Sequence, residues 1–148
     1  MVHYILLLII PENVYNSSNI DIYIMNIMAK YNENINNDSK LSLYDWYEIG
    51  GRWNNLFENN IISVKKMYEI TMENKRYYDI IINDDTVYTN KSMDWLYCNI
   101  NHNTDNANDV ETQVSDLKII NETKWAEEYK NILKSNMENY IVILDCHI

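Results

Sequence analysis

Residues 44–53, Tyr-Asp-Trp-Tyr-Glu-Ile-Gly-Gly-Arg-Trp, hold both glycines of the chain, one of its two arginines and two of its four tryptophans. Adjacent glycines permit positive φ angles and let a backbone approach a ligand closely. Their N–H groups can form a concavity that accepts an anion. Arg52 follows at once, a natural fork for phosphate or carboxylate. Trp46, Tyr47 and Trp53 offer flat faces to a base, a sugar or a cation. With Asp45 at the start of the box, Asp45, Trp46, Tyr47, Gly50, Gly51, Arg52 and Trp53 form a candidate ligand-binding set suited to a nucleotide-like molecule. The spacing is neither GxGxxG nor a P-loop, so neither nucleotide fingerprint applies. The alternative is a tight turn whose aromatics plug the end of a core, with Arg52 paired to Asp45 or Glu48.

A second set joins the chain ends. His3, Asp145 and His147 are residue types that serve as general acid and base. They could also make a partial metal site, but three ligands without HxH or HxxxH spacing do not support one, and no metal or cofactor is predicted. Strand alternation puts Asp145 and His147 on one face and Cys146 on the other. Cys146 therefore reads as a small buried hydrophobe, not a nucleophile.

The elements that must position these residues follow from periodicity. His3–Ile10 is a continuous Ile/Leu-rich run closed by the only proline, a buried central strand. Ser17, Ser18 or Asn19 can cap a helix in which Ile20, Ile24, Ile27, Met28 and Tyr31 recur at helical spacing to about Glu33. Residues 34–40 form a polar loop. Residues 61–70 fit strand and helix equally. Tyr77–Ile82 and Thr86–Tyr88 flank Asn83-Asp84-Asp85, giving a hairpin. The Asn-rich residues 99–108, with His102, read as a surface loop. Thr123 can cap a second amphipathic helix carrying Trp125, Tyr129, Ile132 and Leu133. Tyr140–Leu144 is a second buried strand. Trp95 and Trp125 read as core.

The economical arrangement is a single α+β domain over residues 1–148, of ferredoxin-like type, with two helices packed on one face of a mostly antiparallel sheet. First and last strands then pair antiparallel, bringing His3 beside Asp145 and His147.

Whole-chain totals narrow the function classes. Net charge is −10 over 148 residues, with a pI near 4.6. A broad basic face for duplex nucleic acid is therefore not expected. Hydrophobic content of 47% and charged content of 23% are those of a globular chain. Two cysteines, Cys98 and Cys146, make no disulfide framework and fit a reducing compartment. The run Tyr4–Ile10 lacks the basic flank and cleavage site of an export signal, and no segment is long enough to span a membrane. The expected location is the cytoplasm. Gly and Pro, whose codons are GC-rich, number only two and one, while Asn, Ile and Tyr abound. Each glycine thus stands against compositional drift.

The His-Tyr start, the box and the terminal Asp145-Cys146-His147-Ile148 together resemble a group of small bacteriophage and prophage proteins that share a DWYxIGGRW-type box and a DCHI tail. The resemblance covers the two ends and the box, not the middle third. It implies a genomic setting, that of phage accessory proteins which often disarm host defence, and it implies that box and tail form one site. The leading expectation is a protein that binds or processes a small anionic nucleotide-like molecule. As an enzyme it would be a phosphodiesterase or lyase, with His3, Asp145 and His147 catalytic. The alternative is a non-enzymatic acidic inhibitor or nucleic-acid mimic that binds a host nuclease or defence effector. Homo-oligomerisation through a strand edge is a further expectation.

Overall fold

In the computed structural model, which describes residues 2–32, 41–96 and 117–148, the apolar run His3–Ile10 is strand β1. Leu6 to Ile10 are all within 1% of complete burial. A strand buried on both faces needs cover on both, and the helices supply it. Helix α2 (Ile20–Ala29) packs Ile24, Ile27 and Met28 against Leu6, Leu8 and Ile10. Helices α3 (Val64–Asn74) and α4 (Glu122–Lys134) pack Val64, Met67, Trp125, Tyr129 and Leu133 against Leu7 and Ile9 on the opposite face. A one-turn helix α1 (Glu12–Tyr15) buries nothing.

The sheet is mixed. Its other strands are β2 (Trp46–Ile49), β3 (Ile61–Ser63), β4 (Ile80–Asn83), β5 (Thr86–Asn90), β6 (Leu117–Ile120) and β7 (Tyr140–His147). Their order is β2-β7-β1-β4-β5-β6, with β3 also on β7. β1 runs antiparallel to β7 but parallel to β4, and β5 runs parallel to β6. The fold is therefore α+β, but the ferredoxin-like expectation is corrected: helices lie on both faces, and the sheet is not mostly antiparallel.

Several local expectations also shift. α2 stops at Ala29 rather than near Glu33, because the chain must turn so that Leu43 N–H can reach the Tyr31 carbonyl at 2.8 Å. Asn19 occupies its N-cap position without a side-chain hydrogen bond. The ambiguous residues 61–70 are both things, a short strand and then a helix capped by the Ser63 hydroxyl. α4 is capped by Asn121, two residues before Thr123. The hairpin forms, with Asp84 at φ +57° in its turn. Trp125 is buried, its Nε1–H donating to the Tyr78 carbonyl at 3.0 Å. Trp95, expected in the core, is 41% exposed and meets the Tyr4 ring edge-on. The loops at 34–40 and 99–108, with His102 and Cys98, lie outside the described residues. Among the described residues no helix is long and apolar enough to cross a membrane.

The feature that matters most for function is an interruption at the outer edge of β7. β2 pairs with Leu144–His147 and β3 with Tyr140–Val142. Residues 50–60 oppose the single residue Ile143, whose carbonyl accepts from Gly50 N–H and whose N–H donates to the Asn60 carbonyl, both at 2.9 Å. The second half of the box is thereby expelled from the sheet as an excursion.

Candidate functional site

The lattice of the sheet brings the two chain ends together. His3 and His147 are direct cross-strand partners on β1 and β7. The next pair outward, Val2 and Ile148, exchanges both of its backbone hydrogen bonds. The histidines therefore occupy a non-hydrogen-bonded position, where opposed side chains stand closest. Their ring centroids are 5.2 Å apart. On the other side of His147, Trp46 of β2 is its cross-strand partner, with ring centroids 4.8 Å apart. Trp46, His147 and His3 thus form a row across three strands.

Each imidazole stands against its own carboxylate, His3 through a hydrogen bond and His147 through a close ion-pair contact whose angles are not those of a hydrogen bond. Two residues along β7, on the same face as His147, Asp145 reaches diagonally to His3, with Nδ1 to Oδ1 at 2.8 Å. Asp45, immediately before β2, stands against His147, with Nδ1 to Oδ1 at 2.6 Å. The first contact is a hydrogen bond, which locks the His3 ring in one orientation and keeps its Nε2 for other work; the second has the distance of an ion pair without hydrogen-bond angles. The carboxylates differ in setting: Asp145 has 3% of its side chain exposed and Asp45 38%, while the histidines keep 16% and 12%.

Asp145 is a buried carboxylate and needs more than one partner. Its Oδ2 accepts the Arg52 backbone N–H at 2.9 Å. That bond depends on Gly51. Gly51 has φ +49°, and a Cβ there would lie 2.6 Å from Asp145 Oδ2 and 2.7 Å from Asp145 Cβ. Gly50, at φ +73°, would drive a Cβ into the side chains of Asn54 and Asn60, which hydrogen-bond each other at 2.9 Å. The backbone group that meets an anion is thus the Arg52 N–H, admitted by the missing Cβ of Gly51, and the anion is the protein's own Asp145; the Gly50 N–H is spent on the Ile143 carbonyl.

The other box residues divide. The Arg52 side chain is exposed, and among the described residues no carboxylate pairs with its guanidinium. Asp45, one of the partners considered for it, is committed to His147. Trp46 is 45% exposed beside His147. Trp53 is half-buried at the end of the 3-10 turn Gly51–Trp53. Tyr47 is not brought to the histidines: the pleat turns it to the opposite face, where its ring meets Tyr44 edge-on at 5.1 Å beside the α2-side core. Cys146 shares that opposite face and is fully buried. Burial pushes its thiol well above the ordinary range, and neighbouring Asp145 adds to the rise. Among the described residues no group of three or more His, Cys, Asp or Glu side chains has an arrangement that could hold a metal ion.

No known protein family, curated protein or solved structure matches this chain.

The sequence pointed to Asp45 as a ligand contact and missed its partnership with His147. Strand alternation gave no signal for it, since the residue before Trp46 would face away from His147 in a regular strand; Asp45 reaches the ring because it lies before β2.

Proposed function

We propose that this protein binds a small anionic, nucleotide-like molecule and cleaves a phosphodiester bond in it, with His3 and His147 as the general acid–base pair. The observation that carries this reading is the pair of adjacent imidazoles, each with a carboxylate against its Nδ1: Asp145 hydrogen-bonded to His3, and Asp45 in close ion-pair contact with His147. Phosphodiester cleavage needs one group to take the proton of the attacking hydroxyl or water and another to protonate the leaving oxygen. Two imidazoles side by side, one neutral and one protonated, meet that need, and each carboxylate stabilises its imidazolium when the charge arrives. Attack by water makes the protein a phosphodiesterase. Attack by the molecule's own ribose hydroxyl makes it a lyase.

The surroundings fit such a ligand. The exposed Arg52 guanidinium, carried on the turn that binds Asp145, is available to a phosphate oxygen. The exposed face of Trp46 can stack a base next to His147. Asp45 and Asp145 act through the histidines rather than on the ligand, and Gly51 acts by letting the Arg52 N–H close on Asp145. The setting proposed with this activity is that of a phage-type accessory protein working against a host nucleotide signal.

The test is incubation with a panel of cyclic and linear signalling nucleotides, read for binding and turnover by mass spectrometry. Wild type is expected to convert at least one member. His3→Ala and His147→Ala should each lower the rate by about 10²–10⁴-fold with the fold retained. If no member is bound or turned over, or if both histidine variants match wild type, the reading fails.

A further inference from the structure

A cleft of about 480 Å³ lies between the excursion and α3, away from the histidines, and none of the Asp45, His147, His3 or Asp145 side chains lines it. Its volume falls in the range of roughly 300–1,000 Å³ typical of small-molecule sites. Its walls include Leu56 and Phe57 from the excursion, Lys66 and Ile70 from α3, and Arg76 and Tyr78 from the segment leading into β4. Phe57 and Tyr78 meet edge-to-face at 6.2 Å, making an aromatic corner. The Trp125 hydrogen bond to the Tyr78 carbonyl pins that corner to the core. Leu56 leaves 44% of its surface exposed at the cleft.

The charge is the unexpected part. In a chain of net charge −10, Lys66 and Arg76 converge on one cleft. Among the described residues neither is paired with a carboxylate. The Arg76 guanidinium is held 5.2 Å above the Tyr78 ring, a placement that steadies a planar fork for an oxyanion. Glu58 lines the same cleft, leaving a surplus of one positive charge, which suits one phosphate better than a polyanion.

We propose that this cleft is a second binding site, for a phosphate ester carrying an aromatic ring, a nucleoside monophosphate being the simplest case. Lys66 and Arg76 hold the phosphate, and Phe57 with Leu56 and Ile70 covers the ring. Leu56 follows Arg52 by four residues, at most about 14 Å of extended chain, so both sites share one excursion. The assignment of the cleft nevertheless stands on its own residues and does not depend on the reading of the histidines.

The full chain is titrated with adenosine 5′-monophosphate and followed by ¹H–¹⁵N correlation spectra. Saturable shifts are expected at the amides of Leu56, Phe57, Lys66 and Arg76. Adenosine, without the phosphate, should bind at least about tenfold more weakly, and so should AMP to the Lys66→Ala/Arg76→Ala variant. Both side chains are exposed, so an unchanged melting temperature should certify the variant's fold. The His3→Ala/His147→Ala variant should retain the cleft shifts. If the shifts fall only on Trp46 and His147 and vanish in that histidine variant, the cleft proposal is overturned while the reading of the histidines stands. It is likewise overturned if the cleft amides do not move, or if the Lys66/Arg76 variant binds as wild type does. Shifts confined to the cleft sustain it even where no turnover is found.

Discussion

Replacing Gly51 with alanine probes the link between the box and the histidines more directly than any change to a charged residue. Two costs can be worked from the geometry. At φ +49° an L-residue pays about 1–2 kcal/mol for the left-handed backbone. The new Cβ would also lie 2.6 Å from Asp145 Oδ2 and 2.7 Å from Asp145 Cβ, a separation that backbone and carboxylate cannot both keep. Clearing it pulls Asp145 from the Arg52 N–H, a hydrogen bond to a charged group worth about 1.5–3 kcal/mol. The sum is about 2.5–5 kcal/mol, which for a chain of this length lowers the melting temperature by roughly 5–20 °C. Because the same carboxylate orients His3, the variant should also lose the slowly exchanging Nδ1–H signal of His3 at temperatures where it remains folded. Thermal melting and histidine-selective ¹⁵N NMR read the two effects separately. A variant that melts within about 2 °C of wild type and keeps its His3 resonance would refute the claim that Gly51 exists to seat Asp145.

Asp145→Asn keeps the shape and can still accept the Arg52 N–H, but it no longer stabilises a His3 imidazolium. Turnover of the nucleotide identified by the panel should fall by about 10²–10⁴-fold, measured by initial rates, with only a small change in melting temperature. Arg52→Ala leaves the backbone N–H on Asp145 and removes an exposed side chain, so stability should hold while affinity for a phosphate-bearing ligand falls about 10–100-fold; calorimetric titration checks it. In a Cys98→Ser background, Cys146 should resist an alkylating probe at pH 8 under native conditions and react fully in denaturant. Burial raises its pKa, so the reactive thiolate is scarce below the shifted value and becomes available only on unfolding.

How much of this was legible beforehand differs by residue. The strand His3–Ile10 and the burial of Cys146 follow from local pattern, because continuous apolar runs and period-two alternation are properties of the chain itself; the pairing of first with last strand was drawn from the ferredoxin-like arrangement and holds although that arrangement does not. That pairing is what put His3 beside Asp145 and His147. The two-faced burial of β1 was also legible in principle: a strand apolar at every position demands cover on both sides, and the ferredoxin-like arrangement supplies it on one. Trp95 shows the opposite limit, since an apolar neighbourhood in sequence did not mean a buried position in space.

What the sequence by itself determined is the set of rare residues and the alternation that gives each strand residue its face. What the tertiary structure decided is which partner each one meets. The register of β2 on β7 gives Asp45 to His147 and Tyr47 to the far side. The expulsion of residues 50–60 opposite Ile143 gives the Arg52 N–H to Asp145, and places Leu56 and Phe57 against Lys66, Arg76 and Tyr78. These are contacts between residues as much as 102 positions apart. They arise from strand register and close approach of backbone, which no local spacing encodes.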